Sequence, residues 1–202
     1  MNFKDYGREI ELIEKQNYSF EQDLYSVIAN VMRERKSIKK LSLRDVDNKT
    51  KKENMKVFYG TCSFPDFVIL SEDFVVNKPC KEKVLGAIEV KYVGKNLKNK
   101  EDIMQLKGHL FWFEKVLYTN GLVWKYYEYF PNREHLDEIK RLRNKSYNGI
   151  EYSKEEQKLF DEYDLKHQWS ISLISGKAAD GKYNWNGREW RRLLKKLSGL
   201  VW

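Results

Sequence analysis

The chain has 202 residues, of which 41% are hydrophobic and 34% are charged, and it carries a net charge of +8 with an isoelectric point near 9.2. This length predicts one domain with a core of its own, and two cysteines argue against a disulfide framework or a zinc motif. Because the sequence has neither a run of about 18 apolar residues nor an apolar signal core, no membrane span is expected and the cytosol is the expected compartment. The charge favours an anionic partner, with nucleic acid first, although it can also serve solubility alone.

Residues 19–35 form the first predicted helix, because apolar side chains recur on one stripe at helical spacing. Ser19 can cap this helix, with Gln22 as its capping-box partner three residues later. Glu21 lies on the margin of the stripe, and its ordinary interpretation is a first-turn acid favoured by the helix dipole. The stripe consists of Phe20, Leu24, Val27, Ile28 and Val31.

Residues 33–56 are strongly basic, with ten Lys or Arg residues against four acids and a local net charge of +6. Their low apolar content predicts a loop, which either is solvated or lies along phosphates. Residues 57–61 are predicted to be a short strand that leads toward Asp66. Lys78-Pro79 marks a turn region before the following strand.

Two further strands are predicted at residues 66–70 and 84–93, the second of which is rich in β-branched side chains. Side chains alternate between the two faces of a strand, so Glu89 and Lys91 share one face about 7 Å apart. A carboxylate and an ammonium on an apolar strand are costly to bury without a purpose. If Asp66 meets that face, the two carboxylates repel each other unless a cation lies between them, and oxygen ligands suit Mg²⁺ or Mn²⁺.

Residues 99–115 are predicted to form a helix, which Asn99 can cap and whose first turn is acidic. Gln105 and His109 are four residues apart and therefore share one face of this helix. Gln105 is either a site residue or an ordinary exposed helix residue. For His109 the ordinary interpretation is preferred.

A β-hairpin is predicted after this helix, because Asn120-Gly121 separates two β-rich runs at residues 116–119 and 122–127. The aromatic side chains of the second run, Trp124 and Tyr126 among them, are expected to pack the sheet rather than to contact a base.

The remaining residues predict helices at 133–145 and 153–166, a strand at 168–174 and a basic helix at 187–199. Beside its apolar stripe the last helix presents a basic surface, which can grip a phosphate backbone or form a partner interface. That surface consists of Arg188, Arg191, Arg192, Lys195 and Lys196.

The acids of the two strands carry a resemblance to a known family. Pro65-Asp66, followed after 22 residues by Glu89-Val90-Lys91, resembles the PD-(D/E)XK, or restriction-endonuclease-like, nuclease superfamily. Gln105 on the next helix is similar to a Gln that many members carry, often with a Tyr where this chain has His109. The hairpin with aromatic residues in its second strand resembles the nuclease domains of type I restriction subunits.

The resemblance covers roughly residues 19–130 and implies an α/β fold. Its restriction-endonuclease-like core has a helix, a central mixed sheet of about four to five strands, and flanking helices. We expect residues 1–130 to form this nuclease core, and residues 131–202 to be a helical and strand extension packed on the same domain.

The resemblance also implies roles for individual residues in Mg²⁺-dependent (or Mn²⁺-dependent) cleavage of DNA. Asp66 and Glu89 would hold the metal together with the Val90 carbonyl. Glu21 would complete the metal shell, and Glu34 is a weaker candidate for that place. Lys91 would orient the attacking water or offset charge on the phosphate, and Gln105 would position the water or the phosphate. Substrate grip would come from Lys95, Lys98, Lys100, Lys107, Arg191 and Arg192.

Two alternatives to a DNA-cutting enzyme stay open at this point. One is a nucleic-acid-binding or partner-blocking module on the same fold, without catalysis. The other is an RNA-cleaving nuclease, since the same site can cut RNA. DNA is preferred because it is the common substrate of the resembled family, in a restriction, phage or defence context, and a restriction-type enzyme that cuts both strands would suit a homodimer.

Overall fold

The computed structural model describes residues 1–16, 20–47 and 52–202. These ranges contain six α-helices: α1 (Phe3–Lys15), α2 (Gln22–Arg33), α3 (Lys100–Phe113), α4 (Arg133–Tyr147), α5 (Lys154–Glu162) and α6 (Gly187–Ser198). They also contain eight strands: β1 (Ser42–Asp45), β2 (Phe67–Leu70), β3 (Val84–Val90), β4 (Lys115–Thr119), β5 (Val123–Glu128), β6 (His167–Ser172), β7 (Ile174–Lys177) and β8 (Tyr183–Trp185).

One mixed sheet contains the first six strands in the order β1-β2-β3-β4-β5-β6, while β7 and β8 pair separately. Within this sheet β3 and β4 run parallel, and the other neighbouring strands run antiparallel. A parallel pair needs a crossover connection, which α3 supplies between β3 and β4. The predicted α/β class is therefore confirmed, with a six-stranded central sheet in place of the four to five strands expected.

Two helical layers cover the two faces of the sheet. Helices α1, α2 and α6 pack on one face together with Ile88 and Val90 of β3. Helices α3, α4 and α5 pack on the other face together with Ala87. Strand β3 is thus buried on both faces, which explains its nearly continuous apolar run. Because side chains alternate along the strand, Glu89 points into the α3 layer.

Two predictions for the segment before β2 are wrong. Residues 57–61 do not form a strand, since Glu53–Phe58 is a 3₁₀ helix, and the partner of β2 is β1, which lies inside the predicted basic loop. Of the four residues of β1, Leu43 is buried while Arg44 and Asp45 are exposed. Charged residues are typical of short edge strands. Because of them, β1 shows no alternation of apolar and polar residues from which a strand could be predicted. Residues 48–51 of the basic segment lie outside the described residues.

The predicted helix at residues 19–35 is confirmed as α2, which begins at Gln22. Its expected cap, Ser19, lies outside the described residues. Glu21 takes the N-cap position with a helical φ of −64° and makes no capping hydrogen bond with its side chain. Its carboxylate can therefore serve contacts outside the helix. Helix α1, which the sequence patterns did not predict, packs against α2.

After residue 99, the predicted elements α3, the β4–β5 hairpin, α4, α5, β6 and α6 are all present, while β7 and β8 were not predicted. Asn99 caps α3 as expected, because its side chain accepts hydrogen bonds from two backbone amides of the first turn. The buried Trp124 and Tyr126 pack the sheet, as predicted.

The turn of the β4–β5 hairpin differs in detail from the Asn-Gly expectation. The backbone N–H of Asn120 donates to the carbonyl of Val123, so the two central residues are Gly121 and Leu122. Gly121 has a φ of 80°, a conformation that glycine adopts without strain. Asn120 instead accepts hydrogen bonds from the backbone of Leu122 and Val123 with its side chain.

Residues 131–202 contribute to the same core as the residues before them. Strand β6 is the last strand of the central sheet and pairs with β5. Trp190, Leu193 and Leu197 of α6 are buried in the cluster that also holds α1 and α2. Within the described ranges, no helix combines the length and the apolar character that crossing a membrane requires.

Candidate active site

Asp66 and Glu89 lie opposite each other on neighbouring antiparallel strands. Phe67 pairs with Ile88, which places Asp66 across from Glu89 at the point where β2 begins and β3 ends. Cross-strand partners project from the same face of a sheet, so the two carboxylates face the same space. Asp66 is 4% exposed and Glu89 is 1% exposed. The structure thus brings together the two acids that the sequence singled out.

The environment of Asp66 disfavours its charged form. Burial, and after it the negative charge of Glu89, raise the pKa of Asp66 well above its usual range. The Tyr25 hydroxyl donates to Asp66 Oδ1, and the backbone N–H of Val90 donates to Asp66 Oδ2. Both carboxylate oxygens are therefore held in place by the protein.

Tyr25 is a site residue that the sequence interpretation missed. It projects from α2, four residues after Glu21, so the two side chains share one face of the helix. Burial, and after it the charge of Asp66, raise the pKa of Tyr25, and its hydroxyl therefore stays protonated and donates. The i, i+4 spacing from Glu21 was the available signal, but Tyr25 reads equally well as a core residue.

The Lys91 ammonium lies at the centre of the polar cluster. Its Nζ is 2.7 Å from Glu89 Oε1, 3.0 Å from Gln105 Oε1 and 3.4 Å from Glu21 Oε1. Burial acts to lower the pKa of Lys91, but the attraction of Glu89 and the other carboxylates outweighs it, so the pKa lies above its usual value. Lys91 is therefore a cation that is held by groups from the sheet and from both helical layers.

Gln105 connects the cluster to the loop before β2. Its side-chain oxygen accepts from Lys91, and its Nε2 donates to Ser63 Oγ at 3.1 Å. Ser63 lies just before Phe64-Pro65-Asp66, so this bond ties the first turns of α3 to the segment that delivers the Asp66 carboxylate. The predicted placement of Gln105 at the site agrees with this geometry.

His109 is buried against Glu89, where the sequence favoured an ordinary helix position. It has no exposed surface, and its Nε2 lies 3.1 Å from Glu89 Oε2. Burial acts to raise the pKa of Glu89, but His109 and Lys91 together outweigh it, so that the pKa lies below its usual value. The environments of Asp66 and Glu89 thus push the pKa values of the two acids in opposite directions.

The two glutamates that were weighed as a third acid lie at opposite ends of α2. Glu21, at the start of the helix, faces Lys91, and its pKa is raised by burial, against the attraction of Lys91. Glu34 follows the end of the helix and pairs with Arg35 at 2.8 Å. The structure therefore brings Glu21 to the site and leaves Glu34 away from it.

The basic residues expected to grip the substrate divide into three groups. Lys95 is half-buried, with its Nζ 3.4 Å from Asp102 Oδ2, while Lys98 and Lys100 are exposed; all three lie between Lys91 and the first turn of α3. Arg191 and Arg192 are exposed on α6. The expectation for Lys107 is wrong, because it is buried and its ammonium donates to the carbonyl of Phe160.

A divalent metal site is not preformed as a cluster of three ligands. Within residues 1–16, 20–47 and 52–202, no group of three or more His, Cys, Asp or Glu side chains is arranged to hold a metal ion. The donor chemistry nevertheless fits a hard cation. Among the described residues Glu89 Oε2 is buried without a hydrogen bond, and the repulsion between Asp66 and Glu89 is of the kind that a divalent ion relieves.

Comparisons with known proteins do not assign the chain to a family. No protein-family model matches it, and no significantly similar curated protein or solved structure was found. The function of the chain is therefore inferred from the geometry of this site.

Proposed function

We propose that this protein is a metal-dependent nuclease of the restriction-endonuclease-like type, which hydrolyses phosphodiester bonds of DNA. The observation that carries the proposal is the cross-strand placement of Asp66 opposite Glu89, with the Lys91 ammonium 2.7 Å from Glu89 Oε1. Burying acids and a cation in one cluster costs free energy, and such clusters are typical of functional sites.

The order of elements around the cluster supports this proposal. Helix α2, three antiparallel strands β1 to β3, the crossover helix α3 and the parallel strand β4 follow one another in the chain. This order supplies the helix, the mixed sheet and the flanking helices that the resemblance implies. Helices α2 and α3 and strand β3 each deliver a side chain to the cluster, and Asp66 comes directly before β2.

Asp66 and Glu89 would hold Mg²⁺ or Mn²⁺ with the Val90 carbonyl, and Glu21 would complete the set of ligands. All of these donors are oxygen atoms, which Mg²⁺ and Mn²⁺ prefer. When bound, the ion supplies Lewis-acid polarisation of a phosphate oxygen and an activated water as nucleophile.

Lys91 and Gln105 would act on the phosphate that is cut. Lys91 keeps its proton, so its ammonium can stabilise negative charge that develops on the phosphate oxygens. Gln105 is fixed by Ser63 and can hold a phosphate oxygen or the attacking water without moving its backbone.

Substrate grip would come from two basic surfaces. Lys98 and Lys100 are exposed on the segment that follows Lys91, so they would hold phosphates next to the cut. Arg191 and Arg192 on α6 would hold the backbone at a second place. The net charge of +8 favours such a polyanion, and a homodimer would allow both strands of a duplex to be cut.

A second candidate is a binding module that does not cut. It is favoured by one observation, namely that Lys91 already balances the charge of Glu89 and lies close to Glu21. In such a protein the ammonium would be a permanent substitute for a metal ion, and the basic surfaces alone would serve nucleic acid. An RNA-directed enzyme would use the same site on a different substrate.

The test is a cleavage panel with duplex, single-stranded and branched DNA and with RNA, each with Mg²⁺, Mn²⁺ or EDTA. We expect metal-dependent cutting of DNA that EDTA stops and that Asp66→Asn and Glu89→Gln abolish. Asp73→Asn is the matched control, because Asp73 is exposed and pairs with Lys83 on the surface. DNA that is retarded but uncut would favour the binding module, and cutting by Asp66→Asn would refute the site.

A further inference from the structure

We infer that Tyr25 and His109 are positioning residues, which hold the Asp66 and Glu89 carboxylates from the two opposite helical layers so that they can share one cation. This inference rests on the proposed function, because it concerns the same site. Neither residue needs to touch the substrate, since each acts through the carboxylate that it contacts.

Tyr25 orients Asp66 from the α2 layer. Its hydroxyl donates to Oδ1, while the Val90 N–H donates to Oδ2, so the carboxylate plane is fixed by one side chain and one strand. The Tyr25 ring is held in turn by Phe67, with ring centroids 5.0 Å apart. A carboxylate offers about four acceptor positions, so both oxygens keep lone pairs for a cation.

His109 faces Glu89 from the α3 layer. Lys91 Nζ donates to Glu89 Oε1 at 2.7 Å, and His109 Nε2 lies 3.1 Å from Glu89 Oε2. The two oxygens of the Glu89 carboxylate therefore have different neighbours. The approach of Nε2 is not aligned as a hydrogen bond, and neither Nε2 nor Glu89 Oε2 has another such bond among the described residues. Contacts of this kind tighten when a ligand completes the site.

The pocket around His109 gives the ring little freedom. A Cβ at Gly60 would lie 2.6 Å from His109 Nδ1, so the absence of a side chain there makes room for the ring. The ring centroid of Phe113 lies 6.1 Å away on another side. Within the described chain Nδ1 has no hydrogen-bond partner, so the polar contact that orients the ring is the one with Glu89.

The same pattern occurs on both helices, and this repetition supports a shared role. On α3, Gln105 contacts Lys91 and His109, four residues later, faces Glu89. At the start of α2, Glu21 contacts Lys91 and Tyr25, four residues later, contacts Asp66. On each helix, two side chains one turn apart therefore contact the Lys91 ammonium and one of the two carboxylates.

The experiment measures Mn²⁺ binding by titration calorimetry, without nucleic acid, to the full chain and to variants. Tyr25→Phe removes the hydroxyl, and His109→Leu removes the ring nitrogens. His109→Gln keeps an N–H near the position of Nε2. Tyr6→Phe is the matched control, because it also removes a buried hydroxyl, one that donates to Gly121 and accepts from Trp124.

We expect Tyr25→Phe and His109→Leu to weaken Mn²⁺ binding by about 10- to 100-fold, as loss of groups behind metal ligands does. His109→Gln should restore most of the affinity. Tyr6→Phe should lower the melting temperature but leave Mn²⁺ affinity unchanged, which separates positioning from stability.

The outcomes distinguish this inference from the proposed function. If the unmutated chain binds Mn²⁺ and both Tyr25→Phe and His109→Leu bind it as tightly as Tyr6→Phe does, the positioning role is refuted and the proposed function stands. If the unmutated chain binds neither Mn²⁺ nor Mg²⁺, the proposed function and the positioning role are both refuted. Circular dichroism identifies a variant that fails to fold. If His109→Leu does not fold, the Mn²⁺ affinities of His109→Gln and Tyr25→Phe test the positioning role instead.

Discussion

Lys91 Nζ and Glu89 Oε1 form an ion pair of 2.7 Å in which the side chains are 5% and 1% exposed. A buried ion pair adds little to stability compared with apolar residues that fill the same space, because both charges lose their hydration. Removing one partner, in contrast, leaves the other charge buried and unpaired. A role in the chemistry of the site therefore explains the pair better than a contribution to stability does. The pair also makes the stability of the folded state depend on a cation next to Glu89.

Replacing Lys91 by Met should make the protein depend on a divalent cation for its stability. The substitution leaves Glu89 and Glu21 without the ammonium, and the loss of one partner of a buried pair costs about 3 kcal/mol or more. Added Mg²⁺ should restore part of that loss, because the proposed metal site exists in the folded state alone. Thermal melts in EDTA and in Mg²⁺ measure both effects. Lys95→Met is the control, since Lys95 is more exposed, and equal melts for the two variants would contradict the prediction.

Asp66→Asn should abolish metal-dependent cleavage and at the same time raise stability by ~1 kcal/mol, as relief of unfavourable charge at functional sites does. The raised pKa of Asp66 means that its ionised form is disfavoured in the folded state, so stability falls as pH rises above the unfolded pKa. An amide carries no charge, yet it can accept from the Val90 N–H and donate to the Tyr25 oxygen. Denaturant unfolding at pH 7 measures the change, and a large loss of stability would contradict it.

The site was partly predictable because its main residues lie on strongly patterned elements. Glu89 and Lys91 stand out in an apolar run of the sequence, and Gln105, which the family resemblance assigned to the site, accepts a hydrogen bond from Lys91 at 3.0 Å. Tyr25 and His109 could not be distinguished from core residues, since only the pairing of β2 with β3 and the docking of both helices show that they face carboxylates. Such contacts join residues distant in sequence, and periodicity cannot reveal them.

Most long or buried elements of the fold were predicted, with α1 as an exception, whereas the short and charged strand β1 was missed. The continuous apolar run of β3 and the helical spacing of the apolar stripes of α2 and α6 were clear signals in the sequence. Strand β1 has four residues and one buried side chain, so its identity as a strand depends on its partner β2 rather than on its own composition. The burial of Lys107 likewise depends on α5, whose Phe160 carbonyl accepts from it.

Gly108→Ala should destabilise the protein by about 1 to 3 kcal/mol, as overpacking does. A Cβ at residue 108 would lie 2.3 Å from the Cys62 Sγ and 2.9 Å from the Cys62 backbone nitrogen, so α3 and this loop would have to separate. Ser63, the partner of Gln105, is on the same loop, and cleavage should fall as well. Gly199→Ala is the control because its Cβ would make ordinary contacts; equal unfolding free energies would refute the close approach.

Glu156 should contribute stability that is lost at low pH. Lys145 donates to it at 2.9 Å, the Ser153 N–H donates at 2.8 Å and Arg141 also contacts it, and these groups lower its pKa to about 2. The stabilisation is fully present above the unfolded pKa of about 4.3 and disappears as pH falls toward about 2. Glu156→Gln should therefore lower the melting temperature at pH 7 and reduce its dependence on pH between about 2 and 4.3. Glu155→Gln on the same helix is the control, and parallel pH curves for Glu156→Gln and the unmutated chain would contradict the assignment.

The basic surface of α6 should determine part of the salt dependence of nucleic-acid binding. If Arg191 contacts a phosphate, Arg191→Gln should weaken binding to all duplex sequences alike and reduce the slope of log affinity against log salt by about 0.9. Lys182→Gln is the matched control, because it removes an exposed cation from the β7–β8 turn, one that pairs with Asp180 at 3.3 Å. Titrations in EDTA at several salt concentrations measure the slope without cleavage. An unchanged slope for Arg191→Gln would refute a phosphate contact by Arg191.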